Sequence, residues 1–230
     1  ILAADSSIGG SNNVTLSGVI SGSYNLTKVG SSTYTLSGTN TYSGNTTISA
    51  GTIKLTGSVN TATDLVIASS ATLDLQSTQT FATLDLDGTI TRTANTSALT
   101  ITGASDLGGS ITTSGSQTYT GAITLTANST LTSTGDAISV STIDGGYDLT
   151  IASGAAQSLT SAIGSSTPVT SINVSTTSGN LTLGDDITVT GTGTDAMIFN
   201  AGSSTAAGTT TGGNIIISSS PTFTTGSGGR

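Results

Sequence analysis

The 230 residues contain no His, Cys or Glu, so proton and metal chemistry would fall to the Asp, Lys, Arg and Tyr side chains and to the hydroxyls of Ser and Thr. Acid–base or nucleophilic catalysis needs a tuned pair of acids, or a nucleophile beside a base. Asp185-Asp186 is the one adjacent acidic pair, and on a strand such neighbours point to opposite faces. Asp85 and Asp87 share a face, with Leu84 and Leu86 opposite, and Asp74 stands in the same way between Leu73 and Leu75. A solvated outer strand face accounts for all three. Asp144-Gly145-Gly146 with Asp148, and Asp185-Asp186 again, could offer oxygens to calcium. Neither follows the nonapeptide or EF-hand spacing, and Asp beside Gly is ordinary turn chemistry. The residues therefore point to no catalytic centre, no metal ligand and no cofactor, and the chain reads as a non-enzyme.

The remaining polar residues exclude further classes. Net charge is −8, and the four cations, Lys28, Lys54, Arg92 and Arg230, are scattered, which argues against nucleic acid and anionic membrane surfaces. No apolar run approaches the ~20 residues of a membrane-spanning helix, and Ile1-Leu2-Ala3-Ala4 is too short for a signal-peptide core. The chain is thus expected to be mature or cut from something longer. Asn-x-Ser/Thr triplets such as Asn25-Leu26-Thr27 and Asn128-Ser129-Thr130 occur about as often as chance gives in so hydroxyl-rich a sequence. Lys28 is expected at the surface or in a turn, and Tyr42, Phe81 and Tyr119 at a repeated buried corner.

The elements that position these residues are strands. Only 7% of the residues are charged and 3% aromatic, and Thr and Ser replace the missing charge. Disordered chains are poor in β-branched residues, whereas Ile, Val and Thr recur here in short alternating runs. These predict strands at 24–29, 33–37, 46–49, 52–56, 64–68, 83–87, 98–102, 122–126, 147–152, 172–175, 186–190 and 214–218. Thr-apolar-Thr units such as Thr100-Ile101-Thr102 and Thr130-Leu131-Thr132 put aliphatics on one side and hydroxyls on the other.

A tripeptide of amide, hydroxyl and large apolar residue recurs near every ~39 residues. Its copies are Asn40-Thr41-Tyr42, Gln79-Thr80-Phe81, Gln117-Thr118-Tyr119 and Gln157-Ser158-Leu159. A second echo links Ser21 to Thr27 with Asp144 to Thr150. Two coils per unit predict an all-β, right-handed parallel β-helix (β-solenoid) of about 20 residues per coil without significant helix, running continuously over 1–230 in about eleven coils and ~50 Å.

Ser21 to Leu55 closely resembles the autotransporter-associated β-strand repeat, also called the passenger-associated transport repeat. The match lies in Leu26-Thr27-Lys28, Leu36-Ser37-Gly38, Asn40-Thr41-Tyr42-Ser43-Gly44 and Ala50-Gly51-Thr52 before Leu55. Residues 21–57 form the best-matching repeat. Residues 58–230 are similar to degenerate adhesin repeats, with Ser116 to Gly135 in the style of filamentous-haemagglutinin-like surface proteins. The resemblance implies a Gram-negative bacterium's secreted or surface protein, in which the segment is a structural or adhesive rod facing a host or neighbouring-cell surface. It leaves the export route open. Two alternatives carry over from the residues: a subunit that self-associates head to tail through its open solenoid ends into an extracellular filament or matrix, and an ice-binding solenoid using the Thr-x-Thr arrays.

Overall fold

A computed structural model describes residues 1–192, 196–202, 213–218 and 220–226. Those residues contain no helix, and every strand pairing in the sheets is parallel. The chain winds as a β-solenoid of about nine turns whose successive levels lie ~20 residues apart. Each turn visits three faces in the same order. The turn that starts at Leu65 runs through Leu65–Ile67 on the first face, Ala71–Leu75 on the second and Gln79–Phe81 on the third, before Leu84–Leu86 returns to the first.

The first face is an eight-stranded sheet from Ser6–Gly9 to Ile143–Asp144, prolonged by single bridges through Ile163 to Ile187. The second is ten-stranded, from Val14–Leu16 to Met197–Asn200. The third begins as a lone bridge between Thr39 and Ser58, becomes four-stranded from Gln79–Phe81 to Ile138–Ser139, and continues as three strands from Gln157–Leu159 to Ile215–Ile217.

Alternation along each strand fixes what lies inside. On the second face, Tyr34, Ile53, Leu73, Ile90, Ile111 and Leu131 stack in register into one column, and all are buried. Removing such a side chain from water stabilises by ~1.5–3 kcal/mol, and each coil adds several. The interior is therefore a narrow aliphatic stack held by backbone bonds to the levels above and below.

One feature departs from the sequence reading. The even spacing gave about eleven coils, but the last levels consume more chain. Asn180 Oδ1 accepts from the Asn214 amide 34 residues on, and Asp186 Oδ1 from the Thr222 amide 36 residues on. At Gly51, φ is +69°, and a Cβ there would collide with the carbonyls of Gly30 and Ser32 in the coil beneath. The Ala50-Gly51-Thr52 step of the repeat thus requires glycine for both reasons.

Candidate functional site

The repeated tripeptide builds a corner with a two-coil rhythm. Gln79 stacks on Leu99, Leu99 on Gln117, Gln117 on Ile138, and Gln157 on Leu181, so amide and aliphatic residues alternate at one stacked position. Each amide is buried, and three of them serve the coil beneath. Asn40 Oδ1 accepts from the Ile20 N–H (3.0 Å), Gln79 Oε1 from Val59 (3.2 Å), and Gln157 Oε1 from Ile138 (2.9 Å). Their NH₂ groups close the neighbouring turns. Asn40 Nδ2 donates to Gly38 and Ser58 carbonyls, Gln79 Nε2 to Gly57, and Gln157 Nε2 to Ile138. Gln117 instead donates to Thr113 Oγ1 and the Thr132 carbonyl, and its Oε1 accepts from the Tyr119 hydroxyl (3.0 Å).

Behind the amides lie the large members of the tripeptide. Tyr42, Phe81, Tyr119 and Leu159 are all buried, as the sequence predicted for the three aromatics. Tyr42 shares a 2.6 Å hydrogen bond with Thr46 Oγ1, and burial pushes its phenol up to about 12 although that bond pulls the other way. Burial alone raises Tyr119 further. Neither phenol is poised for acid–base work at neutral pH.

Lys28 is the largest correction to the sequence reading. Expected at the surface or in a turn, it is wholly buried, in a core column between Ile8 and Ile48. Its Nζ reaches out of the column to the turn, donating to the carbonyls of Val29 (2.8 Å), Gly30 (2.6 Å) and, one coil on, Ala50 (3.2 Å). Three acceptors match the three protons of an ammonium. Desolvation lowers its pKa from the ordinary lysine value. The cation also lies 5.3 Å from the centre of the Tyr34 ring, whose hydroxyl donates to the Gly9 carbonyl of the first coil (2.7 Å). One side-chain chain therefore ties three successive coils. The sequence did hold a signal: Lys28 shares strand parity with Leu26, which points it inward.

The carboxylates divide. Asp74 is covered rather than solvated: it accepts from the Thr93 amide (3.0 Å) and hydroxyl (2.7 Å) and from Gln76 Nε2, and Lys54 Nζ lies at 4.0 Å. Parity placed it outside correctly, but the next coil's Thr93 folds over it. Asp85 and Asp87 are exposed, as expected, and Asp85 stacks directly under Asp106. Partial burial, then the charges of Asp87 and Asp106, raise its pKa.

Asp144 Oδ1 accepts the amides of Ser166 and Thr167 in the following coil, Asp148 accepts the Ser171 hydroxyl, and Asp185 accepts the amide of Asp186. These are turn and coil caps. Among the described residues, no three acidic side chains converge as a metal site would need. A concavity of about 670 Å³ between Ser175–Thr176 and Phe199–Gly202 has no ionisable side chain in its wall among the described residues. Lys28, Lys54 and Arg92 lie in or beside the first five coils, while Arg230 lies outside the described residues.

The capped corner and the buried lysine fall in one stretch of chain. Residues 26–55 match the passenger-associated-transport-repeat family. No curated protein and no solved structure matches the chain. The matched stretch holds Lys28 and Asn40, whose bonds to Ala50 and Ser58 clip one coil to the next, and the local Tyr42–Thr46 bond. Passenger repeat and solenoid together fit the passenger domain of an autotransporter.

Proposed function

We propose that this chain is a structural segment of the rod of an exported bacterial surface protein, holding other parts of that protein away from the cell and towards a host or neighbouring-cell surface. One observation carries the reading. The side chains most able to do chemistry, Lys28, Asp74, Asp144 and the buried amides, are spent on backbone groups or on other side chains of neighbouring coils. Stability in such a stack is close to a sum over adjacent coils, which suits a length-giving element. A chain with only four Lys and Arg residues also offers few tryptic sites.

Antibody against the chain tests this on intact cells producing the parent protein. Labelling without permeabilisation, together with a rod of ~45 Å contributed by these nine turns in electron micrographs, is the expected result. Labelling confined to permeabilised cells sinks the surface reading. Beads coated with the purified chain should bind target cells if this segment itself adheres, and inert beads confine it to spacing. Uniform fibres whose length grows with concentration make it a self-assembling subunit instead.

A further inference from the structure

The second face carries two outward columns of hydroxyls that the coil-to-coil bonds leave idle once the second column has passed Asp74. In the first column, seven successive levels from Thr33 to Thr150 all bear hydroxyls. In the second, Thr91, Thr112 and Thr132 stand two residues further along their strands, so that Thr89/Thr91, Ser110/Thr112 and Thr130/Thr132 form an unbroken two-column block. None of these hydroxyls bonds another group of the described protein. The next inward positions differ sharply: Thr113, Ser133 and Ser153, one residue on, each give their hydroxyl to a turn carbonyl. The idle hydroxyls are therefore a property of this face and not of Thr and Ser in general.

Among the described residues, the other faces lack such a block. The first face's outer column is broken by Val66, Asp85, Asp106 and Asp144, and the third face's strands are mostly three residues long and present a single column through Thr80, Thr100 and Thr118. The second-face block is uncharged, with Lys54 and Asp74 paired at its border.

We propose that this face is an ice-binding plane. Parallel rungs set the hydroxyls ~4.8 Å apart between coils and ~6.6 Å apart along a strand, a rectangular array on the scale of the oxygen rows on a prism face of hexagonal ice, with a methyl group beside every hydroxyl except that of Ser110. Threonine supplies a hydroxyl to join the water lattice and a methyl group whose poorly hydrated surface gains by being covered. Charged or aromatic residues, which would strongly order or displace that water, are absent from the block. A free glycan would be held by aromatic stacking or bidentate polar groups, and the block offers neither.

The purified chain should slow ice growth, shape crystals into facets and lower the freezing point below the melting point. Thr112→Lys and Thr132→Lys should abolish that gap. Thr100→Lys, on the third face, should leave it unchanged. All three variants should keep the strand signature in circular dichroism, which separates loss of the face from loss of the fold. Absence of any gap between freezing and melting overturns the proposal, as does equal loss in Thr100→Lys. Retention on an insoluble neutral glucan that is lost in Thr112→Lys, with ice growth unaffected, assigns the face to carbohydrate and also overturns it. None of these results bears on the rod itself, which rests on different residues.

Discussion

At one corner, just past the second face, the two halves of this solenoid are built from different materials. In the amino-terminal coils the stacked position is held by Leu16, Leu36, Leu55 and Leu75. In the later coils the same position is held by Thr113, Ser133, Ser153 and Thr176, all buried. Arg92, following Thr91, marks the change and turns its Nη1 to the Asn95 carbonyl at the adjoining turn. The turn carbonyls are satisfied in both halves by different donors. Where leucine fills the corner, the amides of Asn40 and Gln79 reach the Gly38 and Gly57 carbonyls. Where a hydroxyl fills it, Thr113 and Ser133 both donate to Gly115. The backbone requirement is constant, and the chain meets it either with a distant amide behind an apolar plug or with a short hydroxyl in place of the plug.

The contrast has energetic consequences that substitution can expose, beginning with the largest. Leu55→Ala in the leucine half should cost about 2–5 kcal/mol, because a cavity opens between coils that cannot close up. Urea unfolding should show it, and a loss below 1 kcal/mol would mean that the corner is loosely packed. Lys28→Ala should cost about 3 kcal/mol, since carbonyls bonded by a charged donor are left bare. Lys28→Met keeps the stem and should recover part of that loss.

Ser133→Ala, in the hydroxyl half, should cost only about 1–2 kcal/mol, because Thr113 still serves Gly115. Should Ser133→Ala prove as damaging as Leu55→Ala, the two corners would be energetically equivalent and the contrast would fail. Ser105 sharpens it from the other side. Its hydroxyl is buried in the first-face column between Leu84 and Ile123 without a partner among the described residues, so Ser105→Ala should stabilise the chain by up to about 1 kcal/mol.

Titration separates two further regions. Tyr42 stays protonated in the fold to about 12, while in the unfolded chain it ionises near 10. The unfolded state therefore holds fewer protons between those values, and stability present below pH 10 is lost as pH rises through that window, by up to ~1.4 kcal/mol per pH unit. Tyr42→Phe should lessen that alkaline decline, leaving the part due to Tyr119, while losing about 1 kcal/mol at neutral pH with the Thr46 bond. The smallest effect is expected at Asp85, whose raised pKa means that its charge opposes folding above the ordinary carboxylate range. Asp85→Asn should stabilise slightly at pH 7, by less than ~0.5 kcal/mol on a screened surface, and the gain should vanish once acid protonates Asp85 in the native state.

Strand positions, the ~20-residue coil and the buried aromatic corner were legible in the sequence, because alternation and repetition are carried by neighbouring residues. The twelve runs read as strands all hold strands, although short ones such as Ser105–Leu107 and Gln157–Leu159 were too brief to stand out from the hydroxyl-rich background. The ~39-residue period was visible too, but not its cause, since the aliphatic partners Val59, Leu99 and Ile138 resemble any other core residue. What only the tertiary structure decided is what covers each side chain. Lys28 is inside because its ammonium finds Ala50 one coil away, and Asp74 is sheltered because Thr93 lies over it. The sequence determines local direction through the strand's two-residue period; cover comes from residues about twenty positions distant, and only the winding of the chain brings those together.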